Sequence, residues 1–182
     1  STPKPSSAAS DVYKRQASDN VAGARMATEY LMELVGEGAK VAELPGVPGA
    51  SAAIDRGEGF HQVADQSLQV AASQTANFNR AEGMTVMENI LQSDGTIKGV
   101  FAHNDEMALG AVEAVAASGK DIKIVGFDAT DDAQKAVKDG KMAATVAQKP
   151  DKMGETAIET AVKIMAGETV EKSIPVEVEL IK

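Results

Sequence analysis

IKIVGFDAT, residues 122–130, decides the fold. From Ile122 to Phe127 the chain is apolar except at Lys123, whereas a half-exposed strand would alternate. A run without a polar face suits a central parallel strand covered by helices on both sides. It stops at Asp128, and Asp131 and Asp132 then suit the first turn of a helix, where the dipole favours acids. Just upstream, Lys98–Ala102 reads as a strand. Asn104 and Asp105 open the helix after it, with Ala108, Ala111, Val112 and Val115 on the buried face. Downstream lie a short helix ending at Gly140, a strand Ala143–Ala147 and a longer helix Asp151–Ala166. In that helix Met153, Ala157, Ala161 and Ile164 share a face.

The same rhythm extends in both directions. Asp19 and Asn20 are cap residues for a helix carrying Ala24, Ala27, Leu31 and Leu34, closed by Gly36 and Gly38. Lys40–Leu44 reads as a strand and residues 52–64 as a helix. Leu68, Val70 and Ala72 alternate as a further strand. Met84, Met87, Ile90 and Leu91 mark a helix that ends at the Asp94-Gly95 turn. The chain closes on Ile174, Val176, Val178 and Leu180, whose alternation around Pro175 predicts one edge strand. Helix–strand pairs in strict alternation mean an α/β fold with a doubly wound parallel sheet.

Composition narrows the function. The chain has 182 residues, enough for a full core, with 43% apolar and 25% charged residues, as in ordinary globular proteins. A net charge of −9 excludes the basic stripe of a nucleic-acid face. Cysteine is absent, which removes disulfides, thiolate metal sites and cysteine nucleophiles. No apolar run approaches the roughly 20 residues of a membrane span. Residues 1–16, STPKPSSAASDVYKRQ, lack any apolar period and read as a disordered or non-native tail, similar to translated adaptor sequence.

Five residues sit just beyond predicted strands: Arg56, Phe78, Asn104, Asp128 and Gln148. Open α/β sheets bind small ligands in the crevice beyond the carboxyl ends of their strands. A guanidinium, a ring, two amides and a carboxylate form a set suited to a polyhydroxylated molecule, whose hydroxyls donate and accept while its C–H face stacks on the ring. Each residue also has a plainer reading. Arg56 suits a solvated helix face, Asp128 a helix cap or turn, Asn104 a helix cap and Gln148 a linker; Phe78 in a polar loop is harder to explain as core. Catalytic and cofactor patterns fail. Gly36-Glu37-Gly38 lacks the third glycine of a dinucleotide loop, and Ala133 stands where a calcium loop of Asp128, Thr130 and Asp132 needs glycine. His61 and His103 lie far apart, and neither is assigned an acid–base partner. No enzyme activity, metal or cofactor is expected.

GASAAIDRGEGF (49–60), VFAHNDEMALGAVEA (100–114), IVGFDAT (124–130) and GKMAATVAQKP (140–150) together resemble the second half of ribose-binding members of the type I periplasmic sugar-binding family, which serves ABC transporters. The resemblance runs from about Ala17 to the C-terminus. It implies two Rossmann-like lobes joined by three crossings, with a sugar held between them. Arg56 and Asp128 would hold ring hydroxyls, Asn104 and Gln148 would add amide hydrogen bonds, and Phe78 would cover an apolar sugar face. Small departures are Thr75 and Asn77 near Phe78, and His103 before Asn104.

Residues 17–147 with 178–182 would form the second lobe. Residues 148–177 would be a hinge crossing and a remnant of a largely missing first lobe, with hinges at Asp19, Gln148 and Glu177. The resemblance also implies a monosaccharide such as ribose, an ABC permease and a chemoreceptor as partners, and a periplasmic location. A LacI-type repressor core shares the fold and is the alternative. With one lobe absent, sugar affinity is expected to fall about a hundred- to several-thousand-fold. The Met153–Ile164 face is expected to lose part of its cover.

Overall fold

A computed structural model describes residues 15–171 and 173–182. In chain order the elements are β1 (Arg15–Ser18), α1 (Asn20–Val35), β2 (Lys40–Leu44), α2 (Ser51–Ser67), β3 (Gln69–Ser73), α3 (Arg80–Ser93) and β4 (Gly99–Ala102). Then come α4 (Asp105–Ser118), β5 (Lys123–Asp128), α5 (Asp131–Lys138), β6 (Ala144–Ala147), α6 (Pro150–Met165), β7 (Ser173–Val176) and β8 (Glu179–Ile181). They fall into two compact units. The larger takes in Asn20–Gln148 and Val178–Lys182; the smaller takes in the described residues up to Asp19 and Lys149–Glu177.

The larger unit is a six-stranded sheet in the order β3-β2-β4-β5-β6-β8. Its neighbours pair in parallel except β8, which runs antiparallel to β6 at the edge. Successive side chains of a strand point to opposite faces, so each strand feeds two cores. Val41, Phe101, Val125, Phe127 and Val146 pack beneath α1 and α2 with Ala24, Ala27, Leu31 and Phe60. Ala42, Leu44, Val100, Ala102 and Ile124 pack on the other side with Met87, Ile90, Met107 and Ala111 of α3 and α4. The sheet is doubly wound, as the continuous apolar run of β5 predicts. After β2 the chain first turns outward to β3, then returns to place β4 on the other flank of β2. That reversal makes a switch point, where helices diverge and leave a crevice beyond the strand ends.

In the smaller unit β1 and β7 pair in parallel, Arg15 opposite Ser173 and Ser18 opposite Val176. The Asp19 N–H extends the ladder to the Val176 carbonyl at 2.9 Å. Pro150 stands in the first turn of α6, where its missing N–H costs nothing.

Four expectations change. Arg15 and Gln16 belong to β1 instead of the tail; residues 1–14 lie outside the described residues. Leu34 is 39% exposed, because the core face of α1 has turned away by its last turn. The alternating C-terminal segment is two strands rather than one: β7 pairs with β1, and β8 with β6. On α6 Ala157, Ala161 and Ile164 are exposed, in line with the expected loss of cover, but the stripe that does pack is Met153, Thr156 and Thr160. Threonines supply that stripe without the apolar signal by which a periodicity search finds a buried face; the Thr160 hydroxyl satisfies itself on the Thr156 carbonyl at 2.7 Å. Among the described residues no helix is long and apolar enough to cross a membrane.

Candidate functional site

Of the five residues singled out from the sequence, Phe78, Asn104 and Gln148 follow β3, β4 and β6, Asp128 is the last residue of β5, and Arg56 lies within α2, the helix that follows β2. Arg56 is the hub. It is 4% exposed, and its guanidinium carbon sits 3.8 Å from the centre of the Phe127 ring. Stacking of this kind suits arginine, which is planar and weakly hydrated. Nε donates to Asn20 Oδ1 at 2.9 Å, Nη1 donates to the His103 carbonyl, and Nη2 faces Asp128 Oδ1 at 3.2 Å. These contacts use three of the five N–H donors of a guanidinium.

Asp128 Oδ1 also accepts from Gln148 Nε2 at 2.5 Å. Asn104 does two jobs at once. Its Oδ1 caps α4 by accepting from the Met107 N–H at 3.0 Å, while Nδ2 points to the Phe78 carbonyl at 3.4 Å. Gln148, Asp128, Arg56 and the His103 carbonyl therefore form one chain of polar contacts, and Asn104, the next residue, carries it to Phe78. Phe78 is half-buried, and its ring lies so close over Gly46 that a Cβ there would sit 2.0 Å from it. The helix cap read for Asn104 and its place in the polar set are both present.

The loops that hold these groups are strained. Among the described residues positive φ at non-glycine positions occurs at Asn77, Phe78, Asp128 and Ala129, with values of 52°, 59°, 116° and 53°. Such conformations cost of order 1–3 kcal/mol each and persist where the surroundings over-determine them. Here they aim the ring of Phe78 and the carboxylate of Asp128. Electrostatics add a second tension. Burial pushes the Asp128 carboxyl above its ordinary pKa although Arg56 and Gln148 work the other way. Burial likewise pulls the Arg56 guanidinium down against the pull of Asp128. Both charges have lost more water than they recover from each other, which favours further polar partners.

Several contributors lack an obvious local signal. Asn20, read as a cap, instead lends its Oδ1 to Arg56. Asp105 is wholly buried, accepting from Thr145 Oγ1 at 2.6 Å and from the Thr130 N–H at 2.8 Å. Burial pushes its pKa up to about 6, against those hydrogen bonds. Gly126 is required beside it, since a Cβ there would come within 2.4 Å of Asp105 Oδ1.

The histidines need correcting. His103 Nε2 lies 2.9 Å from Glu43 Oε1, and His61 Nε2 lies 3.4 Å from Glu43 Oε2. Parallel pairing of β2 with β4 and the position of α2 above them bring these three residues together. Hollows of about 250 and 390 Å³ lie elsewhere, one lined by Arg80, Leu109, Asp132 and Lys135, the other by Leu34, Ile97, Lys98 and Lys120. Neither adjoins the polar chain. Among the described residues no group of three His, Asp or Glu is arranged to hold a metal.

The ribose import binding protein of Bacillus subtilis (strain 168) is 55% identical over 164 residues, spanning 90% of this chain and 54% of that protein. The ribose import binding protein of Escherichia coli (strain K12) is 50% identical over 173 residues, spanning 94% of this chain and 58% of that one. The chain thus spans little more than half the length of these curated relatives. An ABC transporter periplasmic solute binding protein from Actinobacillus succinogenes 130z, solved with bound D-allose, superposes with a TM-score of 0.88. It is 32% identical, and the match covers 96% of this chain and 63% of that one. A family model described as "Periplasmic binding protein domain" matches residues 4–169. The chain belongs to the periplasmic binding protein domain family.

Proposed function

We propose that the larger unit presents one face of a monosaccharide site, and that the protein of which this sequence is part captures ribose or a related sugar in the periplasm for an ABC permease. The polar chain from Gln148 through Asp128 and Arg56 to Asn104, laid across the switch point, carries the reading. Arg56 and Asp128 act as charged partners for ring hydroxyls, since hydrogen bonds to ionised groups are about twice as strong as neutral ones. Asn104 and Gln148 supply amide groups that donate and accept. Phe78 supplies the ring for an apolar sugar face. Crossings after Asp19, Gln148 and Glu177 serve as the hinge on this reading. A chemoreceptor is a further partner. The role is binding and delivery, without catalysis, metal or cofactor.

The names of the relatives, ribose import and allose-bound transport proteins, support this reading over a repressor core. The test is a titration of the chain with D-ribose and D-allose up to millimolar concentration, followed by NMR of the backbone amides. Shifts at Phe78, Asn104, Asp128 and Gln148 that saturate are expected, with Asp128→Asn weakening them at least about tenfold. Unchanged binding in Asp128→Asn, or saturation at residues away from these loops, would overturn the assignment.

A further inference from the structure

The contact between Arg56 and the His103 carbonyl depends on what holds His103. The His103 ring is 1% exposed and has one polar anchor: Nε2 donates to Glu43, whereas Nδ1 is buried without a hydrogen-bond partner. A carboxylate only accepts, so Nε2 carries the proton. Glu43 is itself 2% exposed, on β2, and its second oxygen accepts from Ser73 Oγ of β3 at 2.6 Å. Burying a carboxylate is expensive, and a histidine needing only to fill space would not require one.

The pair sits directly under α2. A Cβ on Gly57 would lie 3.5 Å from His103 Cε1 and 3.6 Å from Glu43 Oε1. The helix turn that carries Arg56 therefore rests on Glu43 and on the ring of the residue whose carbonyl Arg56 donates to; the His103 N–H is in turn tied to the Leu44 carbonyl at 3.0 Å. His61, one turn further along α2, completes the cluster at its half-exposed rim. Its Nδ1 lies 2.8 Å from Asp65 Oδ1, and its Nε2 faces the Glu43 oxygen that Ser73 already occupies.

We propose that Glu43 and His103 are positioning residues for Arg56 and Asn104, and that protonation of His61 beside them makes the placement of Arg56 respond to pH. The titratable groups around the network are His103 itself, Asp65 and Asp55 on α2, Glu43 on β2, and Asp128 and Asp105 on the far side of Arg56. Burial opposes a charge on His61, but the Asp65 and Glu43 carboxylates outweigh it and raise its pKa above the ordinary value. Burial likewise opposes ionisation of Glu43, and hydrogen bonds from His103 and Ser73 outweigh it. As pH falls through the His61 transition, a cation appears beside the oxygen that Ser73 holds. The carboxylate is then drawn between two partners, and the ring and carbonyl of His103 follow.

The experiment is NMR of the full chain, following the Arg56 side-chain Nε–H resonance, identified by its loss in Arg56→Lys. In Glu43→Gln and His103→Leu its exchange with water is expected to rise at least about tenfold, while His103→Gln, which keeps a donor for Glu43, stays within about twofold. Wild-type protection in His103→Leu, or equal loss in His103→Leu and His103→Gln, would overturn the positioning role. Between pH of about 5.5 and 8 the Arg56 shift is expected to track the His61 ring, and to lose that dependence in His61→Gln. A response that persists in His61→Gln belongs to another titratable group of the network, His103, Asp128 or Asp105, and would overturn the pH coupling, as would no response in wild type. The link to sugar capture rests on the proposed role of Arg56. Absent ribose-induced shifts in wild type would sink that role, while the Arg56 resonance would still decide the network.

Discussion

Helices α4 and α6 are nearly equal in length and both carry apolar residues at helical spacing, yet they have opposite fates. Along α4, Met107, Ala108, Leu109, Ala111, Ala114 and Val115 are buried, and the helix is covered by the sheet and by α3. Along α6 only Thr160 is buried, while Ile158, Val162 and Met165 are 69%, 60% and 87% exposed. Their entries differ as well: Asn104 caps α4 with its side chain, and α6 follows Lys149 with no side-chain cap bond. An apolar stripe states what a helix is able to cover. Whether it does so depends on what stands opposite.

The largest effect is expected in the core on the other face of the same sheet, beneath α1 and α2. Phe101 is fully buried in β4 and stacks on Phe60 at 5.5 Å. Phe101→Ala is expected to cost about 3–5 kcal/mol in urea unfolding, because a ring-sized cavity forms where nothing can collapse. A loss under about 1 kcal/mol would mean that the core of the larger unit is as loosely held as α6.

The buried carboxyl at the start of α4 should give the next effect. Asp105, with its pKa raised to about 6, is stabilising while protonated. Its contribution is full below the ordinary carboxyl value and is lost as pH rises through about 6. Asp105→Asn cannot ionise, so wild type is expected to lose about 2–3 kcal/mol more than the variant between pH of about 4 and 7. Parallel stability–pH curves for the two proteins would refute the shift.

Removing the cap of α4 should matter less. Asn104→Ala leaves the Met107 N–H without its acceptor and is expected to cost about 1 kcal/mol, measured by thermal or urea melts. The smallest effect belongs to α6. Replacing Ile158, Val162 and Met165 together with Gln is expected to change stability by no more than about 0.5 kcal/mol per site. A larger loss would show that this face is covered in solution, and the comparison between the helices would fail.

Much of the larger unit was legible residue by residue. Lys40–Leu44 stands as β2 with the bounds expected from its apolar run, and the apolar run of β5 correctly announced helices on both faces. The positions of Asp128 and Asn104 at the ends of β5 and β4 were legible because the apolar runs before them mark where those strands stop. Other features left weaker marks. Two threonines, polar by composition, form most of the packed stripe of α6. Val176 and Val178 continue one alternation, yet the strands to either side of Glu177 pair in different sheets. Alternation reports a pleat and says nothing of which neighbour the pleat will find.

By itself the sequence determined the order and type of the elements, the parallel doubly wound sheet, and the row of polar residues at its carboxyl edge. Those follow from local periodicity and chain direction, which need no partner to be read. Only the tertiary structure decided which groups meet: Asn20 with Arg56, Asp105 with Thr145, and Glu43 with both His103 and His61. Crossover connections bring residues as far apart as 43 and 103 to neighbouring strands. Once there, the loss of water sets the cost of each charge, and the groups within hydrogen-bond reach decide whether it is kept.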